Sequence, residues 1–211
     1  MIASRYLHNF YKDKKLSTHI HLEGGAALSL YYNVDRKFSN DLDFTIETQG
    51  DIDRFRDSIT KPFDSKDYQV KHINENKTNI YDTRGKMVLS FDYYLATKEF
   101  CNYEEVLLDG ITPSLIHSVE DIFVEKLCCM VDRDAERDVH DAVVILEKYS
   151  PKIDIVSSWY NKKQEVKKSS CPTFDDFVKM FSSIVQQKRN WVNQKSNLQI
   201  IQSYLENNTK K

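Results

Sequence analysis

The sequence of 211 residues lacks any run of about eighteen apolar residues, the length that a membrane-spanning helix requires. It also lacks a signal-peptide apolar stretch at its N-terminus, because His8 and the lysine-rich segment 12–15 closely follow Met1. These absences argue against a membrane-bound or secreted protein. We therefore expect a soluble, cytoplasmic protein without a membrane partner.

The four cysteines include no CxxC pair, and the adjacent Cys128 and Cys129 on a predicted helix suit neither zinc nor an ordinary disulfide. Buried free thiols are the expectation. The chain also lacks internal repeats and extended low-complexity tracts, which excludes repeat arrays. Its hydrophobic fraction of 40% is enough for a real core.

Charge is unevenly distributed along the chain. Residues 151–211 contain eleven Lys and Arg against five Asp and Glu, a net charge of +6. Because the whole chain carries −2, residues 1–150 carry −8. An acidic part and a basic part are expected to have different roles.

The first part of the chain alternates between strand and helix patterns. The segment Asp41–Ile46 has the period of two that is typical of a strand with one covered face, and Leu42, Phe44 and Ile46 are expected in the core. Further predicted strands are His19–Leu22, Tyr68–Ile73, Lys77–Tyr81 and Met87–Leu95, and predicted helices are Tyr6–Lys15, Ala26–Tyr32 and Asp51–Thr60.

The last part of the chain has helical periodicity. Capping boxes at Ser118 and Thr173 each begin a helix, and the second helix is expected to be long, with an apolar stripe that reaches Trp191 and Val192. Between them, the lysine-rich segment Asn161–Ser170 is interpreted as a polar linker. The predicted fold class is α+β: a mixed-sheet core in residues 1–115 and a helical C-terminal region in residues 116–211.

Two acidic residues and a glycine pair form the first chemical motif. Asp41 and Asp43 are expected on one face of a strand, about 7 Å apart, where both can bind hard cations. Gly24 and Gly25 follow a predicted strand and precede a helix, where missing Cβ atoms let backbone N–H groups approach a phosphate. Taken alone, the acids could be a solvated strand face and the glycines a tight turn.

The segment Leu22–Phe44 resembles the first motif of the AbiEii/AbiGii toxin family, a branch of the polymerase-β-like nucleotidyltransferases. The family pattern is Gly-Gly-Thr-Ala-Leu followed by Arg-x-Ser-x-Asp-Leu-Asp-Phe. Two residues depart from that pattern: Ala26 stands where the family has Thr, and Lys37 stands where it has Arg. The residues that match are Gly24, Gly25, Ala27, Leu28, Ser39, Asp41, Leu42, Asp43 and Phe44.

The segment Asp121–Asp141 is similar to the second family signature, a helical Glu-Lys-Leu followed by Arg-Asp-x-x-Asp. Lys126 emerges from an apolar helix face, so it either reaches solvent over its long stem or has a partner. The resemblance implies that Lys126 binds the nucleotide triphosphate, and that Asp138 or Asp141 contacts the nucleotide or orients Lys126. Otherwise these acids are an ordinary acidic first turn of a helix.

Asp92 is the single acidic residue of the predicted strand Met87–Leu95. The resemblance implies that it is a third carboxylate and the general base, and that Asp41, Asp43 and Asp92 hold two Mg²⁺ or Mn²⁺ ions. It further implies transfer of a nucleoside monophosphate from an NTP to an acceptor. For family members that act as toxins, that acceptor is RNA, with tRNA ends foremost, and a cognate antitoxin is expected. Without the resemblance, Asp92 is an edge-strand charge.

Two other functions remain open at this point. A small-molecule nucleotidyltransferase of the antibiotic-modifying kind would share the aspartate motif, and a non-catalytic nucleotide- or protein-binding module would keep the fold alone. An RNA acceptor predicts a basic surface, for which the candidates are the segment Lys162–Lys168, Lys188 and Arg189, with Tyr160 and Trp191 available for stacking.

Overall fold

The computed structural model describes residues 6–7, 11, 19–34, 40–95, 101–108, 112–167 and 171–209. The chain divides into two compact units, Met1–Ser118 and Val119–Lys211. Within the described ranges, no helix is both long enough and apolar enough to cross a membrane.

The described residues of the first unit form a mixed sheet of seven strands: β1 (Ile20–Glu23), β2 (Asp41–Ile46), β3 (Tyr68–Asn74), β4 (Lys77–Asp82), β5 (Met87–Leu95), β6 (Tyr103–Leu108) and β7 (Thr112–His117). Their order in the sheet is β3-β4-β5-β2-β1-β7-β6. The central strand β2 pairs in parallel with β5 and in antiparallel with β1. The helices are α1 (Gly24–Leu30) and α2 (Gln49–Thr60), followed by a 3-10 turn at Lys61–Phe63.

Strand β2 separates the core of this unit from its polar face. Leu42, Phe44 and Ile46 are completely buried, as their alternation predicts. Phe55 of α2 packs on Phe44 with ring centroids 4.9 Å apart and on Tyr93 of β5 at 5.3 Å. Since side chains alternate along a strand, Asp41 and Asp43 leave the sheet on the face opposite to Leu42, Phe44 and Ile46.

The structure confirms all five predicted strands with small shifts at their ends, and it confirms the helices that became α1 and α2. It adds β6 and β7, which the sequence did not predict. Most of the predicted opening helix Tyr6–Lys15 lies outside the described residues, although Tyr6, Leu7 and Tyr11 are helical and buried.

In the second unit, the described residues form helices and a 3-10 turn. The capping box at Thr173 is confirmed, because its hydroxyl accepts a hydrogen bond from the Asp176 amide at 3.1 Å. The helix Glu136–Tyr149 ends where Ser150 adopts a left-handed conformation with φ 46°. The elements are α3 (Val119–Asp132), α4 (Glu136–Tyr149), α5 (Ile153–Lys167), α6 (Phe174–Gln187), the 3-10 turn Arg189–Gln194, and α7 (Lys195–Thr209).

The prediction of one long helix from Phe174 to Val192 is wrong, because α6 ends at Gln187. The Nζ of Lys188 donates hydrogen bonds to the carbonyl oxygens of Val131 at 2.9 Å and Arg133 at 3.2 Å. Lys188 thus satisfies carbonyl groups at the end of α3. These contacts help to explain why α6 ends just before Lys188. Val192 is left 66% exposed.

The prediction of a polar linker at Asn161–Ser170 is also wrong for its described residues, since α5 continues to Lys167. Lys163 is 5% exposed and its Nζ lies 3.2 Å from the Asp121 carboxylate and 2.7 Å from that of Glu125. A lysine-rich sequence looks solvated, but here two acids of α3 stabilise the buried ammonium.

We expect Lys163→Met to lower the free energy of unfolding by about 3 kcal/mol, because it leaves the buried Asp121 carboxylate without its cation. The matched control is Lys162→Met, since Lys162 is exposed and its ammonium lies over the Trp159 ring at 4.5 Å. That contact is worth under about 1 kcal/mol. Urea denaturation measures both, and equal losses would contradict a structural role for Lys163.

Candidate active site

Four charged residues form a row across the sheet of the first unit. Asp43 of β2 is the Cα partner of Glu23 on β1 and of Asp92 on β5, and Asp92 is the partner of Lys77 on β4. Directly paired residues project from the same face of a sheet, and neighbouring strands lie about 4.8 Å apart. The register therefore brings three carboxylates and one ammonium side by side.

Asp41 belongs to the same face, because it precedes Asp43 by two residues on β2. Its Cα partner on β5 is Ser90, two residues before Asp92. The side chains of Asp41, Asp43 and Asp92 are all half-buried. The three residues predicted to be catalytic are thus brought together on adjacent parallel strands.

Gly24 is fitted against this row of acids. It follows β1 directly, has φ +62°, and a Cβ atom built on it would lie 2.7 Å from the Oδ2 of Asp43. A side chain here would strain the backbone and push the Asp43 carboxylate aside. Gly25 is half-buried in the first turn of α1. Ser39, the other predicted nucleotide-binding residue before β2, lies outside the described residues.

Lys77 engages the third carboxylate of the row. Its Nζ donates to the Oδ2 of Asp92 at 2.6 Å, and the hydroxyl of Ser90 lies 3.5 Å from the same oxygen. Among the described residues, no group of three or more His, Cys, Asp and Glu side chains is arranged to hold a metal ion. The metal-binding role of Asp41, Asp43 and Asp92 stays a prediction.

The donor atoms of this face nevertheless suit a hard divalent cation. Carboxylate oxygens are the ligands that Mg²⁺ and Mn²⁺ prefer, and Asp41 and Asp43 supply two on one strand. The missing Cβ of Gly24 keeps the space beside Asp43 Oδ2 open. Asp92 lies beside Asp43 as a further carboxylate, and its Oδ2 accepts a hydrogen bond from Lys77.

The sequence did not point to the polar residues that surround Glu23. Glu23 is 6% exposed, and its carboxylate accepts hydrogen bonds from the hydroxyls of Tyr94 and, at 2.9 Å, of Thr45. The Nε2 of His117 lies 3.5 Å from the same carboxylate. Hydroxyl donors stabilise this acid in the interior, directly beside Asp43. Without the pairing of β1, β2 and β7, no sequence signal connects these residues.

The other predicted residues lie in the second unit and form a buried ionic cluster. The side chain of Lys126 is 8% exposed, so it does not reach solvent freely. Its Nζ lies 3.3 Å from the Asp138 carboxylate and 2.8 Å from that of Asp141. The two acids are therefore partners of Lys126, as one interpretation of the motif holds.

Arg133 completes this cluster by donating two hydrogen bonds to Asp138, at 2.7 and 2.8 Å. Burial raises the pKa of Asp138, but the hydrogen bonds from Arg133 and the charges of Lys126 and Arg133 outweigh burial and hold that pKa below its usual value. Asp138 is consequently ionised at neutral pH.

The basic surface that the sequence suggested for an RNA acceptor is not supported by burial. Lys163 is buried in an ion pair and Lys188 binds backbone carbonyls. Tyr160 is completely buried and Trp191 is 2% exposed, so neither presents a ring for stacking. Lys162 and Arg189 are the exposed members of the described set.

The family model for the nucleotidyl transferase AbiEii toxin of type IV toxin-antitoxin systems matches residues 5–198. The chain belongs to this AbiEii family. It is therefore a toxin-type nucleotidyltransferase, which agrees with the acidic face that β1, β2 and β5 form. A search of curated proteins found no match.

Solved structures share the fold of this AbiEii family member at low identity. MenT4, a nucleotidyltransferase toxin from Mycobacterium tuberculosis H37Rv, has a TM-score of 0.65 at 11% identity over 92% of this chain and 76% of its own. The antibiotic-resistance factor ANT(2'')-Ia has a TM-score of 0.54 at 11% identity over 79% and 94%. An antigenic nucleotidyltransferase-like protein from Paracoccidioides brasiliensis has 0.51 at 14% identity over 89% and 88%.

A Gly24→Ala variant tests the fit of the glycine against Asp43. The matched control is Gly85→Ala, because Gly85 also has positive φ, +76°, but nothing lies within 4 Å of its added Cβ. Both variants should lose about 1–2 kcal/mol of stability from backbone strain. Nucleotidyltransferase activity should collapse in Gly24→Ala alone, and an active Gly24→Ala variant would contradict a catalytic position for this turn.

Proposed function

We propose that this protein transfers a nucleoside monophosphate from an NTP to an RNA acceptor in a reaction that depends on Mg²⁺ or Mn²⁺. The observation that carries the proposal is the register of β2 with β5, in which Asp43 and Asp92 are Cα partners and Asp41 shares their face. The carboxylates of Asp41, Asp43 and Asp92 lie on adjacent strands, and the turn at Gly24 lies beside Asp43. Such an arrangement suits cation-assisted phosphoryl transfer.

Each residue of the face has a proposed role. Asp41 and Asp43 hold a divalent cation, and Asp92 is the third ligand and accepts the proton of the attacking hydroxyl. Gly24 and Gly25 keep the strand-to-helix turn open for phosphate oxygens. A divalent cation held by these carboxylates would neutralise charge on the triphosphate and on the leaving pyrophosphate.

The role of the second unit rests on the family motif. We propose that Lys126 contributes its positive charge to triphosphate binding, and that Asp138 and Asp141 orient it. The contacts of Lys126 with both carboxylates support the orienting role. Because the Lys126 side chain is 8% exposed and contacts both carboxylates, its charge would act on the triphosphate without leaving these two partners.

The RNA acceptor and a cognate antitoxin are proposed from membership in a toxin family of type IV toxin-antitoxin systems. The likeness to ANT(2'')-Ia is a likeness of fold, at 11% identity. The fold alone does not separate an RNA acceptor from a small-molecule acceptor, so an acceptor assay must include an aminoglycoside as the alternative. Of the basic residues suggested for RNA binding, Lys162 and Arg189 are exposed, whereas Lys163 is buried and Lys188 binds backbone carbonyls.

The test is transfer of label from each of the four NTPs to total cellular RNA or to an aminoglycoside, with Mg²⁺ or with chelator. Asp41→Asn, Asp43→Asn and Asp92→Asn should each lower the transfer rate on the order of a hundredfold or more, with unfolding free energies near that of the wild type. Asp67→Asn is the matched control, because Asp67 is an exposed acid of the same unit. Full activity in Asp41→Asn and Asp43→Asn would refute the proposal.

A further inference from the structure

Lys77 forms an ion pair with the third carboxylate of the acidic row, and neither family motif contains Lys77. We propose that Lys77 is a positioning residue that holds Asp92 as its counter-ion in the cation-free protein, and that a divalent cation competes with Lys77 for the Asp92 carboxylate. This inference rests on the proposed function, since it concerns the same carboxylates.

The pairing of Lys77 with Asp92 is built into the backbone. The two residues are Cα partners in the antiparallel ladder of β4 and β5, so their side chains leave the sheet on the same face with Cβ atoms about 5 Å apart. On its other side, Asp92 is the Cα partner of Asp43. The strand register therefore offers Asp92 an ammonium on one side and the predicted cation site on the other.

The contact occupies a specific oxygen of Asp92. The Oδ2 atom accepts the hydrogen bond of Lys77 at 2.6 Å. The hydroxyl of Ser90 lies 3.5 Å from this oxygen, but its shorter hydrogen bond, at 2.9 Å, goes to Asn79. Lys77 is thus the stronger of these two partners of Oδ2, and a cation that approaches this oxygen competes with the ammonium.

The exposure of the pair makes this exchange feasible. The side chains of Lys77 and Asp92 are 34% and 36% exposed, whereas those of Lys126 and Lys163 are 8% and 5% exposed. Burial makes the latter two ion pairs costly to break, while a half-exposed pair contributes little net stability. A released Lys77 ammonium can be rehydrated, and a divalent cation brings to the Asp92 carboxylate twice the charge of the ammonium.

Mn²⁺ binding without nucleotide, followed by the electron paramagnetic resonance of free Mn²⁺, tests the exchange without relying on turnover. Lys77→Met should bind Mn²⁺ about two- to fivefold more tightly than the wild type, the fold-change that corresponds to losing a half-exposed ion pair. Lys77→Arg should bind Mn²⁺ close to the wild-type affinity, because it keeps a cation at Asp92. Lys86→Met, which removes an exposed lysine of the same unit, should leave the affinity unchanged.

A double-mutant cycle separates competition at Asp92 from general repulsion between Lys77 and the metal. In an Asp92→Asn background, Lys77 has no carboxylate to hold, so Lys77→Met should add no further tightening. The same tightening in both backgrounds would overturn the inference, because it would show repulsion alone. Thermal unfolding of each variant checks that the fold is intact.

The Asp43→Asn variant distinguishes a failure of the proposed function from a failure of the role proposed for Lys77. If Asp43→Asn binds Mn²⁺ as the wild type does, the carboxylates are not the cation site and the proposed function fails. If Asp43→Asn weakens binding while Lys77→Met matches the wild type, the proposed function stands and the role of Lys77 is refuted.

Discussion

The parallel pairing of β2 with β5 is the constraint on which the candidate site depends. Asp41 and Asp43 share a face by strand alternation alone, but Asp92 joins them because the register sets Asp43 opposite Asp92. A shift by one residue would turn Asp92 into the core and Phe91 or Tyr93 out of it. The completely buried Phe44 and Tyr93, which flank Phe55, oppose such a shift, so the packing of the apolar face positions the acids of the polar face.

Three lysines with carboxylate partners illustrate how burial determines the role of an ion pair. Lys163 and Lys126 are buried against two acids each, and removal of either lysine would leave carboxylates in a poorly solvated environment. Lys77 and Asp92 remain partly hydrated. The two buried clusters are costly to break, whereas the Lys77–Asp92 pair can be exchanged at little cost.

Much of the fold could be predicted because β2 and its neighbours carry strong local patterns. The strand Asp41–Ile46 alternates without exception, and the structure has the same bounds. Strands β6 and β7 lack such a pattern, since Glu104 and Glu105 are adjacent in β6 and Pro113 interrupts β7. The linker interpretation of Asn161–Ser170 was wrong because the partners of Lys163 lie some forty residues earlier, on another helix.

The candidate site was predictable to the extent that its residues follow one another in the chain. Gly24, Asp41 and Asp43 lie in one motif, so the sequence indicated them directly. Lys77 became visible only through the pairing of β4 with β5, which sequence periodicity does not specify. Likewise, the surroundings of Glu23 depend on a strand that the sequence did not predict.

The most direct test of the acidic face as the nucleotidyl-transfer centre is a crystal structure with Mn²⁺ and a non-hydrolysable NTP analogue, in which anomalous scattering locates the metal. The proposed function predicts Mn²⁺ bound directly to carboxylate oxygens of Asp41 and Asp43, with triphosphate oxygens completing its coordination beside Gly24. Mn²⁺ and triphosphate bound to other residues, with the Asp41 and Asp43 carboxylates free of both, would contradict it.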